Sequence, residues 1–251
     1  MSGEPPILMF GSSHCTALIK AAEEHYPDRK IIGGPLQKGP YWIGRHKYVG
    51  PFFEADGADI GFVDPLAAAR FKAVMKAAGL PPDFKAFPGP ILLVFGIESS
   101  NLLLNPTWTA LWRQHSLLPG TDRQFISRDV FKEMLRSERR YPIQFASLLT
   151  GLGKRVYCVT NPPPRFTPKW MQPDEALVIH ATCVEVMREI YAEVGTGVID
   201  AGSAVTNAKG YMHPNLRRDP MHGNIEFGRR VLAACLEALS GEQAQPEAAS
   251  A

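Results

Sequence analysis

Short apolar runs alternate along this chain with longer segments of helical periodicity. Each run is followed by Gly, Asn or Asp, which ends a strand readily. The runs that predict buried strands are residues 7–10, 30–32, 91–95, 156–160 and 197–199. Strands that alternate with helices indicate a parallel sheet with helices on both faces.

Two helices are predicted from one-sided apolar stripes with a spacing of three and four residues. Pro173 and Asp174 resemble the first turn of one of them. The stripes consist of Ala176, Ile179, Cys183, Val186 and Ile190, and of Ile225, Gly228, Leu232, Cys235 and Leu239. Ser127 is predicted to cap a further helix from about Arg128, which Pro142 breaks or kinks. We therefore expect a three-layer α/β/α fold with a flavodoxin-like parallel sheet of about five strands.

Residues 33–65 do not follow this alternation, because Gly and Pro punctuate them and aromatic residues lie between. A long loop of this kind is often functional, so Tyr41 and Trp42 are predicted to contact the substrate. Residues 57–64 are predicted to form an additional strand or hairpin arm. No linker divides the chain, so residues 1–239 are expected to form one domain. Residues 240–251, rich in Glu, Gln, Ala and Pro, are expected to be a disordered tail.

Composition narrows the class of protein. The 251 residues are 45% hydrophobic and 21% charged, which is ordinary for a globular domain. A net charge of +2 is too small to imply a nucleic acid or membrane-surface partner. No apolar run approaches a membrane span, and the first residues lack the basic segment of a signal peptide, so a cytoplasmic location is expected. The four cysteines form no Cys-x-x-Cys pair, which favours buried reduced thiols and no metal site.

Ser13 lies where the first predicted strand gives way to a helix. That switch is at the carboxyl edge of a parallel sheet, where α/β proteins bind ligands. Ser12 is the competing residue, since one of the two serines can simply cap the helix. Near the other end of the chain, Asp219 and His222 precede the last helix. A carboxylate at this spacing can orient the imidazole as a base for a serine nucleophile, although Asp219 can also be only a helix cap.

Residues 7–18, Ile-Leu-Met-Phe-Gly-Ser-Ser-His-Cys-Thr-Ala-Leu, resemble the first block of the SGNH (GDSL-like) hydrolases. The resemblance is greater to the branch whose block contains Gly-Asp-Ser-His. It implies that Ser13 is the nucleophile and that Ser12 replaces the aspartate before it. Residues 219–224, followed by Gly228, resemble the family's last block, which implies Asp219 as orienter and His222 as base. Residues 161–165, Asn-Pro-Pro-Pro-Arg, resemble the proline-rich turn of this branch.

The resemblance also implies an oxyanion hole made by the serine N–H, a glycine after the second strand and an asparagine after the third. Gly33 or Gly34 is expected to supply the glycine. Glu98 stands where the asparagine is expected, and a carboxylate stabilises an oxyanion only when it is protonated. Asn101 is the nearest amide that can take over. His14 and Glu98 are also predicted to face the substrate.

These residues predict a serine esterase that hydrolyses or transfers an acyl group through a covalent acyl-enzyme. The expected partner is a small acyl ester, such as an acylated sugar, and no cofactor or metal is expected. Trp108 and Trp112 are predicted to pack in the core rather than bind a sugar. One alternative is a degenerate domain of this family that binds a glycan or acyl ligand without turnover, which Glu98 favours. Another is a flavodoxin-like nucleotide- or phosphate-binding protein, which the absence of a phosphate-loop motif disfavours.

Overall fold

The computed structural model of the chain describes residues 4–45, 49–219 and 222–243. Its strands are β1 (Ile7–Gly11), β2 (Ile31–Pro35), β3 (Phe53–Asp56), β4 (Asp59–Phe62), β5 (Ile91–Val94), β6 (His115–Ser116), β7 (Gln124–Phe125), β8 (Val156–Val159) and β9 (Gly197–Ile199). Its α-helices are α1 (Cys15–His25), α2 (Gly39–Trp42), α3 (Pro65–Ala77), α4 (Ser99–Leu104), α5 (Pro106–Gln114), α6 (Arg128–Glu138), α7 (Arg140–Gly151), α8 (Glu175–Ala192) and α9 (Ile225–Gln243).

The central sheet is five-stranded, with the order β2-β1-β5-β8-β9 and every neighbouring pair parallel. This is the flavodoxin-like order, and it confirms the predicted α/β fold. Gly11 at the end of β1 is level with Pro35 of β2 and Val94 of β5. The carboxyl ends of these strands therefore meet at one edge, where the segments that follow them lie side by side.

Alternating side chains of the strands build a separate core on each face of the sheet. Ile7 and Met9 of β1 pack against α1 and α9. Leu8 and Phe10 pack on the opposite face, among residues of α3, α6, α7 and α8. Because both faces are covered, the three inner strands β1, β5 and β8 are buried and apolar throughout, and this continuous pattern made them predictable.

Helices α1 and α9 touch through Gly228. A Cβ on this residue would lie 2.2 Å from the carbonyl oxygen of Ala17 in α1, so no larger residue fits without displacement. Helix α1 begins just after Ser13, and α9 begins just after His222. The packing of these two helices therefore sets how closely the two candidate catalytic residues approach.

The aromatic segment at residues 33–65 requires a correction. Tyr41 and Trp42 are almost completely buried, and the Trp42 ring stacks on Phe95 with centroids 4.2 Å apart. The Tyr41 hydroxyl donates a hydrogen bond to the carbonyl oxygen of Phe52 at 2.7 Å. The prediction that these two rings contact substrate is wrong, because they complete the core that Phe10 begins. The additional strand or hairpin arm predicted at residues 57–64 is confirmed, since β4 lies within this range and pairs antiparallel with β3.

The start of α6 follows the predicted signal, whereas α8 begins only at Glu175, so Pro173 and Asp174 lie in the turn before it and not in its first turn. The Ser127 hydroxyl caps α6 by accepting from the N–H of Val130, and the helix breaks at Arg139, upstream of Pro142. Trp108 and Trp112 are buried and stacked on each other, as expected for core residues. Helix α9 continues to Gln243, and the rest of the predicted tail, residues 244–251, lies outside the described residues.

Candidate active site

The two adjacent serines have different environments at the tip of β1. Ser12 is buried, and its N–H donates to the carbonyl oxygen of Val94 at 3.2 Å, which extends the pairing of β1 with β5. Ser13 is exposed at the start of α1. Of the two serines, only Ser13 therefore has a hydroxyl that a substrate can reach from the solvent.

Ser13, His222 and Asp219 form a continuous hydrogen-bonded chain. The Ser13 Oγ lies 2.9 Å from Nε2 of His222. The other ring nitrogen, Nδ1, lies 2.9 Å from both carboxylate oxygens of Asp219. A carboxylate only accepts, so Nδ1 carries the proton and Nε2 is left as the acceptor that a base requires. The structure brings together the three residues that the sequence predicts as nucleophile, base and orienter, and their roles stay predictions.

Asp219 and His222 are held by a hydrogen bond to each other and by two arginines. Asp219 Oδ1 accepts from the N–H of His222 at 2.9 Å, and Oδ2 accepts from Nε and Nη2 of Arg218 at 3.0 and 2.9 Å. Arg165 donates from its guanidinium to the carbonyl oxygens of Asp219 and His222, the latter at 2.9 Å. Arg165 thus fixes the backbone at both residues without occupying the imidazole or the carboxylate.

His14 is a neighbour of the candidate base rather than an open substrate contact. It is buried, and its ring centroid lies 5.1 Å from that of His222. Burial, with smaller contributions from His222 and Arg165, lowers the pKa of His14 to about 4. A neutral His14 adds no charge beside His222, so its role here is to pack against the imidazole.

The Glu98 carboxyl is buried where the tips of several strands meet. Ser12 after β1 and Asn161 after β8 act on its pKa, and a Cβ on Gly39 would lie 3.7 Å from its Oε2. Burial raises the pKa of this carboxyl, and the Arg139 guanidinium and the polar side chains of Asn161 and Ser12 oppose part of the increase. Glu98 is therefore a buried side chain near Ser12 rather than an open contact in front of Ser13.

The predicted oxyanion-hole residues occupy different kinds of position. Gly33 and Gly34 lie within β2, paired with Met9 and Phe10, so the expectation that they belong to a loop beyond the strand is corrected. They precede the strand tip because the ladder continues past them to Pro35. Asn101 lies in the first turn of α4, and its Nδ2 is buried without a hydrogen-bond partner in the described part of the chain. An unsatisfied buried donor is uncommon, so this amide is a candidate to bind a ligand oxygen.

Sequence reasoning missed the contribution of Arg165, Asn161 and Arg139 to this region. The proline-rich turn pointed to residues 161–165, but not to the carbonyl oxygens that Arg165 binds. No sequence pattern pointed to Arg139, because a fully buried guanidinium is rare and because this residue lies between two helices.

Across residues 4–45, 49–219 and 222–243, no group of three or more His, Cys, Asp or Glu side chains is arranged to hold a metal ion. All four cysteines are buried and free, as predicted.

We compared the chain with known proteins. No family model matches it, and no curated protein matches it. Among solved structures, a Streptococcus pneumoniae protein described as a platelet activating factor superposes with a TM-score of 0.52 at 13% identity, covering 95% of this chain and 85% of that one. The two proteins share a fold.

Two further structures are less similar in shape. A GDSL-like lipase from Bacteroides thetaiotaomicron has a TM-score of 0.47 at 11% identity, over 96% of this chain and 91% of that one. An acetylxylan esterase from Geobacillus stearothermophilus has a TM-score of 0.45 at 14% identity, over 100% and 98%. In the described part of this chain, no helix has the length and apolar character needed to traverse a bilayer.

Proposed function

We propose that this protein is a serine hydrolase or acyltransferase of the SGNH type that acts on a carboxylic ester. The observation that carries the proposal is the hydrogen-bonded chain from Ser13 Oγ to His222 to Asp219, with both links at 2.9 Å. A serine hydroxyl is nearly unreactive at neutral pH unless an oriented base accepts its proton. Here the oriented base lies within hydrogen-bonding distance of the Ser13 hydroxyl.

The reaction proceeds in two steps. Ser13 Oγ attacks the ester carbonyl while its proton moves to Nε2 of His222, and Asp219 stabilises the imidazolium that forms. Collapse of the tetrahedral intermediate breaks the bond to the alcohol oxygen, which leaves with the proton from His222. A water molecule, or a second alcohol in the transferase case, then attacks the acyl-enzyme with His222 again as base. This releases the acid or the new ester and restores the Ser13 hydroxyl.

Two donors are proposed for the oxyanion of the intermediate. The backbone N–H of Ser13 lies just before the N-terminal end of α1, where the helix dipole favours negative charge. The second donor is Nδ2 of Asn101, which has no other partner among the described residues. Loss of one such donor lowers kcat about 10²–10³-fold in other acyl-transfer enzymes.

The test is labelling with a fluorophosphonate, combined with hydrolysis of short aryl esters. Wild-type protein should be labelled at Ser13 and should release the aryl alcohol. Ser13→Ala should abolish both signals with an unchanged Tm. Ser12→Ala is the matched control, because it removes the adjacent hydroxyl and should retain the label. Turnover that survives in Ser13→Ala would refute the proposal.

A second candidate function rests on Glu98. This carboxyl stands in place of the asparagine that the family resemblance implies, which favours a domain that binds an acylated ligand without turnover. In that case neither labelling nor hydrolysis should occur, while acetylated sugars or acyl esters should still raise the Tm of the wild-type protein. The same experiment therefore separates the two functions.

A further inference from the structure

A groove of about 370 Å³ lies between the first turns of α1 and α9, beside the candidate active site. One wall is α1, which contributes Thr16, Ala17 and Lys20. The other wall consists of Arg218 and residues 223–226, which lead into α9. The groove is large enough for a small organic ligand, since ligand sites in proteins have volumes of roughly 300–1,000 Å³.

The lining of this groove connects to all three candidate catalytic residues. The N–H of Thr16 donates to the carbonyl oxygen of Ser13 at 3.2 Å. Arg218 forms an ion pair with Asp219 at 2.9 Å, so the charges of these two side chains balance. The residue that follows His222 in the chain is also part of the lining. A substrate positioned at Ser13 therefore has the groove next to it, on the side of His222.

Lys20 lies on the same side of α1 as Ser13. Ser13 is in the turn that opens α1, and Thr16 and Lys20 follow it at a spacing of three and four residues, which places all three on one side of the helix. At about 1.5 Å of rise per residue, Lys20 is about 10 Å from Ser13 along the helix axis. Helical side chains tilt toward the N-terminal end, so the tilt brings the Lys20 ammonium toward Ser13. An anion held by Lys20 is therefore within the length of one small substrate molecule.

The charge of Lys20 is not compensated by an ion pair. The side chain is exposed, and among the residues that the structure describes no carboxylate pairs with it. Glu23 and Glu24 lie one turn further from Ser13, and Glu24 pairs with His25 at 3.6 Å. The Lys20 ammonium is therefore available to a ligand in the groove.

The other charges around the groove also favour an anion. Glu226, the carboxylate in its lining, accepts hydrogen bonds from the guanidinium groups of Arg229 and Arg230 at 2.6 and 2.9 Å. Two cations thus surround this one negative charge. Together with Lys20, the lining and its ion-pair partners carry an excess of two positive charges, which equals the formal net charge of the whole chain.

We infer that the alcohol part of the ester carries a negative charge, and that this charge binds in the groove beside Lys20. The inference rests on the proposed function. The leaving oxygen accepts its proton from Nε2 of His222, so the alcohol lies on the side of that residue. The groove begins at the residue after His222 and ends at Lys20.

The substrate class is therefore an ester of an alcohol that bears a carboxylate or a phosphate group. Both groups accept hydrogen bonds from an ammonium and are attracted by the positive charge of the groove. A neutral alcohol gains nothing from Lys20, so the groove distinguishes anionic from neutral esters through the alcohol and not through the acyl group.

The test measures kcat/KM for three acetyl esters that differ only in the alcohol. The alcohols are methyl 4-hydroxybenzoate, which is neutral, 4-hydroxybenzoate and 4-hydroxyphenyl phosphate. The value for each anionic ester is divided by that for the neutral ester, so the intrinsic reactivity of the esters cancels when this ratio is compared between variants. In wild-type protein the ratio should fall as NaCl is raised from about 0.05 M to about 0.5 M, because salt screens exposed charges.

Lys20→Gln should lower the ratio about 2–5-fold, the range expected of one exposed ion pair. Lys20→Glu should lower it further by a factor of about the same size, and Lys20→Arg should retain it. The value of kcat/KM for the neutral ester should not change in these variants. The matched control is Lys72→Glu, which changes the net charge equally at an exposed lysine of α3, on the opposite face of the sheet.

The outcomes separate the inference from the proposed function. A ratio in Lys20→Glu equal to that of wild type, or a wild-type ratio that does not respond to salt, overturns the inference while the esterase proposal stands. Equal losses in Lys20→Glu and Lys72→Glu also overturn it, because the net charge and not the groove then determines the ratio. A Lys20-dependent ratio for either anion supports the inference, and the larger ratio identifies the group. Absence of labelling and of turnover of all three esters in wild-type protein overturns the proposed function itself, and the anionic substrate with it.

Discussion

The contact between α1 and α9 predicts that Gly228→Ala, which adds one methyl group between these helices, lowers the activity of the candidate active site. In Gly228→Ala the new Cβ would lie 2.2 Å from the carbonyl oxygen of Ala17, whereas ordinary contact begins at 3.4 Å. The helices must therefore separate by about 1 Å. Ser13 lies just before α1 and His222 just before α9, so their 2.9 Å contact lengthens to about 4 Å, beyond hydrogen-bonding distance.

The expected effects on rate and stability differ in size. A misplacement of about 1 Å at a catalytic contact lowers the rate about 10²-fold. Overpacking destabilises by about 1–3 kcal/mol, and replacing glycine by alanine inside a helix returns about 0.5–1 kcal/mol. With about 2–4 °C of Tm per kcal/mol for a chain of this size, the fold should persist at the assay temperature. Activity should therefore be lost from a protein that is still folded.

The measurement is kcat/KM on an aryl ester, with the Tm and the circular dichroism spectrum of each variant. Gly241→Ala is the matched control in the same helix, since its Cβ would meet no described atom within 4 Å. It should keep the wild-type rate and raise the Tm slightly. A wild-type rate in Gly228→Ala would refute the argument that the packing of α1 and α9 sets the distance between nucleophile and base.

Three further predictions concern side chains around the site. Arg165→Met should lower kcat more than it raises KM, because it frees the carbonyl groups of Asp219 and His222; Arg165→Lys should recover part of the rate, and equal rates in both variants would contradict a positioning role. Asn101→Ala should lower kcat about 10²-fold if its amide binds the oxyanion, and an unchanged kcat would exclude that role. Glu98→Gln should become more stable relative to wild type as the pH rises above about 4.3, because burial raises the pKa of Glu98 and the native state holds the proton more tightly than the unfolded state. A difference in Tm that stays constant with pH would contradict this.

The central sheet was predictable because each of its strands is a short apolar run that ends at a turn residue. Helix α6 was predictable because Ser127 caps it in the expected way. The two-residue strands β6 and β7 and the short helices α2 and α4 were not, since they are too brief to show a period.

The aromatic segment at residues 33–65 shows most clearly where the hydrophobic pattern of the sequence fails to predict burial. Trp42 lies in a stretch broken by glycine and proline, so nothing in its neighbourhood suggests the core. Its burial results from Phe95 and the other rings around Phe10, which are distant in sequence. The residues of the candidate active site also differ in how well the sequence predicts them. Ser13, Asp219 and His222 were proposed from sequence motifs, whereas the contacts of Arg165 and Glu98 depend on side-chain directions that no motif encodes.

The proposed nucleophile and base are 209 positions apart in the chain. The chain entropy lost on closing a loop of this length costs about 4.7 kcal/mol of free energy, apart from a constant. In a chain that has formed β1 and α1 but has not docked α9, Ser13 has no His222 beside it. Under the proposed mechanism, labelling of Ser13 by a fluorophosphonate requires that α9 has packed against α1. The rate of labelling during refolding would therefore report this packing step separately from the formation of the sheet.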